Sequence, residues 1–219
     1  MMKTYFRALF TLVLASAGIA QASVVYNNTA TDTLQSYVYS AGAYTQIGDT
    51  ITLGGTDRTL TDATVQFFNL SDAGGTFSAS LRFWNTGAPV GSQIGPTFTV
   101  NSQAINSFDI ANVTFAGLNL LVPNSLVFTV SVANFGATDL GLNAFEPPSV
   151  GSSDNAQIIT RDASAFSATA TTAGQGNLYL LLNATTVSTV PEPSTLVLSG
   201  VAMLGLLAAR RRRPTPANR

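Results

Sequence analysis

Residues 77–84 read FSASLRFW, and this stretch indicates most directly how the chain folds. Its odd-numbered residues are apolar and its even-numbered ones, apart from Trp84, are polar. Successive side chains of a β-strand point to opposite faces of a sheet, so this period of two predicts a strand with one face in a core. Residues 126–133 and 178–183 repeat the alternation. The three segments together predict a β-protein.

Shorter apolar segments predict further strands, and turn sequences rich in Gly, Pro, Asn and Asp separate them. These strands are predicted at 36–39, 51–53, 63–68, 95–100, 108–115 and 156–160. The turns are predicted at 54–55, 72–75, 85–87, 123–124 and 147–148. No part of this body shows helical periodicity. Many short strands at nearly regular spacing predict an all-β, jelly-roll-like β-sandwich.

The charge of this body excludes several function classes. Residues 23–190 hold three arginines against ten acidic residues, a net charge of about −7. Such an acidic body does not suit nucleic-acid binding. The chain has no Cys and no His, which excludes disulfides, the usual zinc sites and a Ser-His-Asp triad. We therefore expect a protein that is not an enzyme and needs no cofactor.

The N-terminus predicts export. Lys3 and Arg7 precede an apolar run over residues 8–19, and Ala20-Gln21-Ala22 has the A-x-A pattern of a cleavage site, with Ala20 and Ala22 as its small residues. This is the pattern of a secretory signal peptide. We expect the Sec machinery to export the chain and signal peptidase to remove residues 1–22.

The C-terminus predicts a membrane anchor. An uncharged apolar run over residues 195–209 is followed by Arg210, Arg211, Arg212 and Arg213. As a helix the run would be about 22 Å long at ~1.5 Å per residue, which is short for a membrane span, although flanking residues and a thin bilayer can absorb the deficit. The arginines would stop transfer and stay in the cytoplasm. We predict a single transmembrane helix in the inner membrane, with the body outside and residues 214–219 as a short tail.

The five residues before this helix complete a recognisable arrangement: Val190, Pro191, Glu192, Pro193 and Ser194. With the apolar segment and the arginines, residues 189–213 resemble the PEP-CTERM sorting signal of Gram-negative bacteria. The resemblance implies processing by exosortase, a membrane protease-transpeptidase, at the proline-flanked motif. It also implies a precursor in the inner membrane and a product at the cell surface or outside the cell. The two prolines keep the motif extended, as a processing site requires.

The body between the two signals, residues 23–188, has a weaker likeness. Its phrases VVYNNTATDT, IGDTITLGG, TLTDATVQFFN and FSASLRFWNTGAPVGSQIG follow one another in the order found in the choice-of-anchor extracellular β-domains. The resemblance covers about residues 24–185. It implies an extracellular β-domain but no activity for particular residues.

Three kinds of site are candidates in the body. Loop carboxylates at Asp57, Asp62, Asp72 and Asp154 with Asn155 have the oxygen ligands that calcium takes, or they simply cap turns. Glu146, the body's single Glu, is a candidate glycosidase carboxylate or a surface residue beside a turn. Aromatic side chains that can stack on sugar rings, or else fill a core, are Trp84, Tyr37, Tyr39 and Tyr44.

These observations favour a non-catalytic cell-surface or extracellular-matrix protein that acts in surface display, adhesion or an exopolysaccharide (biofilm) matrix. The alternative is a carbohydrate-binding β-sandwich module, with exopolysaccharide as partner. A secreted hydrolase is disfavoured by the absence of His and Cys. We expect the body to fold as a monomer without a metal.

Overall fold

The computed structural model describes residues 21–39, 46–86, 91–136, 139–160, 169–171 and 176–186, with the side chains of 154–160 and 169–171 excepted. Within these residues the chain forms thirteen strands and no helix. The strands are β1 (Ser23–Asn28), β2 (Asp32–Val38), β3 (Gln46–Thr52), β4 (Thr59–Asn69), β5 (Gly75–Asn85), β6 (Gln93–Ile105), β7 (Ile110–Leu121), β8 (Ser125–Ala133), β9 (Leu140–Phe145), β10 (Ser152–Thr160), β11 (Thr169–Thr171), β12 (Asn177–Leu178) and β13 (Leu180–Thr185).

The strands form two antiparallel sheets. The first has the order β1-β13-β4-β9-β12, with β2 also paired to β9 and β7 also paired to β4. The second has the order β11-β10-β3-β8-β5-β6. Strand β4 organises the first sheet because β7 runs along one side of it, while β13 and then β9 run along the other. The predicted all-β class is confirmed, and the jelly-roll-like topology stays a prediction.

One hydrophobic core takes side chains from both sheets. Phe67 of β4 and Phe77 of β5 bring the sheets together, with ring centroids 4.8 Å apart. All four odd-numbered residues of 77–83 are buried, as the alternation predicted. Burying a large apolar side chain contributes about 1.5–3 kcal/mol, so these inward faces are the main source of stability.

Every predicted strand segment overlaps an observed strand, but three strands were not predicted: β1, β9 and β11. Strand β9 reads LGLNAF and is buried at every position. Its residues of both parities are buried, so burial here does not follow the polar pattern of the sequence. Strand β8 has one face in the core, as predicted, and its other face is largely covered too, since Val127 and Thr129 are buried as well as Leu126 and Phe128.

The first and last strands of the described body are neighbours. Ser23 of β1 lies opposite Ala184 of β13, and its Oγ contacts the Ala184 carbonyl oxygen at 3.4 Å and donates to the Asp57 carboxylate. The predicted strand at 178–183 is divided into β12, which pairs with β9, and β13, which pairs with β1 and β4. Tyr179 lies between them and donates its backbone N–H to the Asn143 carbonyl (2.9 Å). Both ends of the body therefore leave from the same end of the first sheet.

The predicted signal-peptide residues 1–20 and the predicted membrane helix 195–209 lie outside the described residues. In the part of the chain that the structure describes, no helix is long and apolar enough to cross a membrane.

Candidate functional site

A polar cluster lies inside the core around Asp49 of β3. This strand reads QIGDTIT, and its period of two places Asp49 on the same face as Ile47 and Ile51. All three side chains are fully buried. A buried carboxylate is costly unless other groups satisfy it, so the residues around Asp49 decide whether this strand is stable.

Ser153 of β10 is the centre of the cluster. Its Oγ lies 3.0 and 3.1 Å from the two Asp49 carboxylate oxygens, 2.9 Å from the Thr50 carbonyl oxygen and 2.7 Å from Asn177 Oδ1. A hydroxyl has one proton, so Ser153 can donate to only one of these four oxygens at a time. The hydroxyl links β3 and β10 of the second sheet to β12 of the first.

Two tyrosines complete this cluster, Tyr26 of β1 and Tyr37 of β2. Both side chains are buried, and neither hydroxyl makes a hydrogen bond of good geometry. Burial, and then the Asp49 charge, raise the pKa of Tyr37 to about 12. The same two causes raise the pKa of Tyr26 well above its usual range, and the nearby Ser153 hydroxyl opposes them. Asp49, Asn177 and both tyrosines are buried and Ser153 is half-buried, so the arrangement suits a structural role.

A solvent-facing pocket lies on the outer face of the first sheet, where β2, β9, β4 and β7 run side by side. Its volume is about 230 Å³, below the ~300–1,000 Å³ typical of pockets for drug-sized ligands, so it suits a single ring or a short side chain. The lining combines polar groups with an apolar part: Asp32, Leu34, Gln35, Ser36, Phe68, Ile110 and Asn143.

A row of amides crosses the sheet beside this pocket. Asn143 Nδ2 donates to Gln66 Oε1 at 2.8 Å, and Gln66 Nε2 donates to Asn112 Oδ1 at 3.1 Å. Two residues further along the same face, the hydroxyls of Thr64 and Thr114 are 2.9 Å apart. This outer face therefore presents fixed donors and acceptors next to an apolar pocket.

The aromatic residues that the sequence offered for sugar stacking lie elsewhere. Trp84 is on the face of β5 opposite the main core, as its parity predicted, but it is only 3% exposed and donates its Nε1–H to Thr129 (2.8 Å). Tyr37 and Tyr39 are buried, and Tyr39 donates its hydroxyl to the Val130 carbonyl (2.7 Å). The stacking hypothesis is wrong for these three residues because none of their rings faces solvent. Tyr44 lies outside the described residues.

Two of the loop carboxylates proposed for calcium accept hydrogen bonds from neighbouring strands or residues. Asp57 accepts from Ser23, and Asp62 accepts from Asn183 Nδ2 at 2.6 Å and Thr61 Oγ1 at 2.9 Å. Asp72 lies in the turn between β4 and β5. Within the described residues, no group of three or more acidic side chains could hold a metal ion.

The remaining carboxylate candidates do not assemble a site within the described residues. The side chains of Asp154 and Asn155 are not described, although both residues belong to β10. Glu146 follows β9, where its backbone N–H donates to Thr31 (3.0 Å), and it does not line the pocket. The glycosidase role considered for Glu146 therefore gains no support from the described residues.

Sequence reasoning missed Asp49 and the pocket residues Asp32 and Asn143. The burial of Asp49 was detectable, because in a strand it lies on the same face as Ile47 and Ile51, two residues away on either side. The pocket was not detectable, because strands distant in the chain form it.

The processing residues 190–194 and Arg210 to Arg213 lie outside the described residues. Ala22, at the predicted signal cleavage point, is exposed directly before β1, whereas Ala20 is not described.

Comparison with known proteins bears on the C-terminus. The family model of the PEP-CTERM protein-sorting motif matches residues 189–213. No curated protein and no solved structure matches the chain, and the choice-of-anchor likeness of the body is not confirmed. The motif implies exosortase as processing partner, a membrane-anchored precursor and a surface or extracellular product. At residues 189–213 the chain carries the PEP-CTERM sorting motif of an exosortase-sorted protein.

Proposed function

We propose that this protein is an exported, non-catalytic component of the cell surface or extracellular matrix, released from its anchor by exosortase within residues 190–194. The match of the sorting motif to residues 189–213 carries the proposal. In this account signal peptidase cuts after Ala22, and residues 195–209 hold the precursor in the inner membrane. Arg210 to Arg213 keep the end of the chain in the cytoplasm.

The bounds of the described body support two cuts of this kind. Strand β1 begins at Ser23, directly after the proposed first cut, and β13 ends at Thr185, a few residues before Val190. Neither cut removes a residue of a described strand. The pairing of β1 with β13 also ties both ends of the product into the first sheet. The product therefore keeps its described strands after processing.

A non-catalytic role fits the chemistry of the body. The chain has no His or Cys, and its described carboxylates at Asp57 and Asp62 are engaged in local hydrogen bonds. Surface display, adhesion and a structural part in an exopolysaccharide or biofilm matrix are the roles we propose for such a body.

Two classes of tail variant test the sorting proposal, because they should fail at different stages. Glu192→Gln, alone or with Pro191→Ala and Pro193→Ala, should leave insertion intact and block processing, so that the full-length precursor accumulates in the membrane. Replacement of all four arginines by Gln should instead disturb stop-transfer and orientation. Immunoblots of membrane and extracellular fractions, in a host with exosortase, distinguish the two. Normal processing of the Glu192 and proline variants would show that the segment is a plain anchor.

A second candidate function, binding of a single sugar unit, has support in the pocket on the first sheet. Its polar groups at Asp32, Gln35 and Asn143 suit hydroxyls, and its apolar part at Phe68 and Ile110 suits the C–H face of a ring. Titration with monosaccharides, followed by NMR shifts, tests it. Gln35→Ala should weaken any binding, whereas Gln93→Ala, an exposed glutamine on β6, should not. Equal effects of the two variants, or no shifts at all, would remove this candidate.

A further inference from the structure

The start of strand β1 lies against the carboxylate of a loop. Ser23, the first residue of β1, pairs with Ala184 of β13 at the edge of the first sheet. The Ser23 hydroxyl donates to the carboxylate of Asp57, which lies in the loop between β3 and β4. Both residues are half-buried. The first residue of the described strands and an acidic side chain 34 positions away therefore share one site.

The Asp57 carboxylate has no cationic partner among the described residues. Its neighbour Arg58 directs its guanidinium to four other oxygens instead. These are the backbone carbonyls of Gly54 (3.2 Å), Gly55 (2.9 Å) and Asp57 (2.6 Å), and Oδ1 of Asn124. Arg58 therefore holds the loop of residues 54–58 together and leaves the Asp57 carboxylate to Ser23.

Removal of the signal peptide would place a positive charge beside this carboxylate. Hydrolysis of the Ala22–Ser23 bond adds one water, leaves a carboxylate on Ala22 and frees an amine on Ser23. The amine takes up a proton at neutral pH, because α-amino groups have an ordinary pKa of about 7.7–8.0. Its nitrogen is bonded to the Cα that carries the Ser23 side chain. The new charge therefore lies within the ~4–6 Å over which opposite charges interact strongly enough to shift a pKa.

This charge would be the single amine of the product. The chain's only lysine is Lys3, in the predicted signal peptide, so a product that begins at Ser23 contains no lysine side chain. Residues 23–190 hold three arginines against ten acidic residues. An acidic body of this kind attracts the new ammonium group.

We propose that removal of the signal peptide completes the body by creating an ion pair between the Ser23 α-ammonium and the Asp57 carboxylate. The inference rests on the proposed cut after Ala22. In the precursor the Ser23 nitrogen is a neutral amide, so the pair cannot form. Chain ends fray unless something ties them down, and this pair joins the free end of β1 to the loop that Arg58 holds. It acts on the end of an edge strand and not on the stability of the whole body, since ion pairs near the surface contribute little.

The absence of lysine makes the pair measurable on the exported, processed protein. An amine-specific acylating reagent modifies the Ser23 amine, and peptide mass spectrometry follows that modification. Only the uncharged amine reacts, so the pH dependence of the rate gives the pKa of this amine. The ion pair should raise it above the ordinary value by about half a pH unit or more.

Two variants remove the pair in different ways. Asp57→Asn deletes the carboxylate charge and keeps the shape of the side chain. A glycine inserted between Ala22 and Ser23 moves the amine by one residue, about 3.3 Å along a strand. Both changes should return the pKa of the amine to about its ordinary 7.7–8.0. The control, Asp72→Asn, removes the same charge from an exposed residue in the turn between β4 and β5 and should leave the raised pKa unchanged.

The first residue of the product separates the pairing from the cut. Mass spectrometry that finds a different first residue would overturn the proposed cut and the ion pair with it. A product that begins at Ser23 but whose amine has an ordinary pKa would leave the cut intact and overturn the ion pair alone. So would equal pKa values in Asp57→Asn and Asp72→Asn. Circular dichroism checks that every variant folds.

Discussion

The tail and the body of this protein carry their information in different ways. The sorting motif occupies residues 189–213 without interruption, so its parts are neighbours in sequence and can be read in order. In the body, central contacts join distant residues: Ser153 and Asp49 are 104 positions apart, and Tyr39 donates to the Val130 carbonyl, 91 positions away. The difference teaches that the destination of this protein is encoded locally, whereas the properties of its body arise only from folding.

The largest effect should come from moving the tail away from the body. If the sorting signal acts without the body, residues 189–219 fused to an unrelated exported β-protein should make that protein a substrate of exosortase. The unfused protein is not processed, whereas the fusion should be almost fully processed. Immunoblots of the fusion in hosts with and without exosortase measure this change. The same fusion with Glu192→Gln is the control and should stay uncut. A fusion that is never processed would show that the body takes part in recognition.

Replacing a buried aromatic residue should destabilise the body and leave the tail unaffected. Phe67 is fully buried against Phe77, so Phe67→Ala should lower the free energy of unfolding by about 3–5 kcal/mol. Phe108, which is 64% exposed, supplies a matched control, and Phe108→Ala should stay within about 0.5 kcal/mol. Urea unfolding of both variants measures the difference. Similar losses in the two variants would contradict the described core.

The buried polar cluster should give a smaller but clear effect. Ser153→Ala removes a hydroxyl that contacts both Asp49 oxygens and Asn177. Losing a hydrogen bond to a buried charged group costs about 1.5–3 kcal/mol. Ser80→Ala, at an exposed hydroxyl that contacts Thr99, is the control and should change stability by less than about 0.5 kcal/mol. Urea unfolding that shows no loss for Ser153→Ala would mean that the hydroxyl does not stabilise the cluster.

The smallest effect concerns pH. The pKa of Tyr37 is about 12 in the folded protein against 10.0 without the fold. The stability that the protonated Tyr37 contributes is therefore fully present below pH 10 and is lost as pH rises toward 12. The cause is that the unfolded chain releases this proton at a lower pH than the folded protein does. The raised pKa of Tyr26 acts in the same direction.

Tyr37→Phe isolates this contribution. At neutral pH the variant should be as stable as the unmodified protein or slightly more so, since the lost hydroxyl is buried without a well-formed hydrogen bond. Between pH 10 and 12 the free energy of unfolding of the variant should fall less steeply than that of the unmodified protein. The two slopes should differ by up to about 1.4 kcal/mol per pH unit. Thermal melts across this range measure both. Identical pH slopes for the two proteins would exclude Tyr37 as a contributor.

Much of the fold was predictable because strands with one buried face alternate in sequence, as residues 77–84 do. What failed had a common physical cause: sequence parity reports which face a side chain takes but not what covers that face. Trp84 took the predicted face and is still buried, and β8 is buried on both faces. The pocket depends on strand order, which the sequence does not show.

The C-terminal mass of the exported protein tests the central claim most directly. Intact-mass and peptide mass spectrometry should find a product that begins at Ser23 and ends within residues 190–194, without residues 195–219, in a host that has exosortase. In the same host without exosortase, the chain should keep its C-terminal end and stay in the membrane. An exported protein that still contains residues 195–219, or the same C-terminus with and without exosortase, would contradict the account.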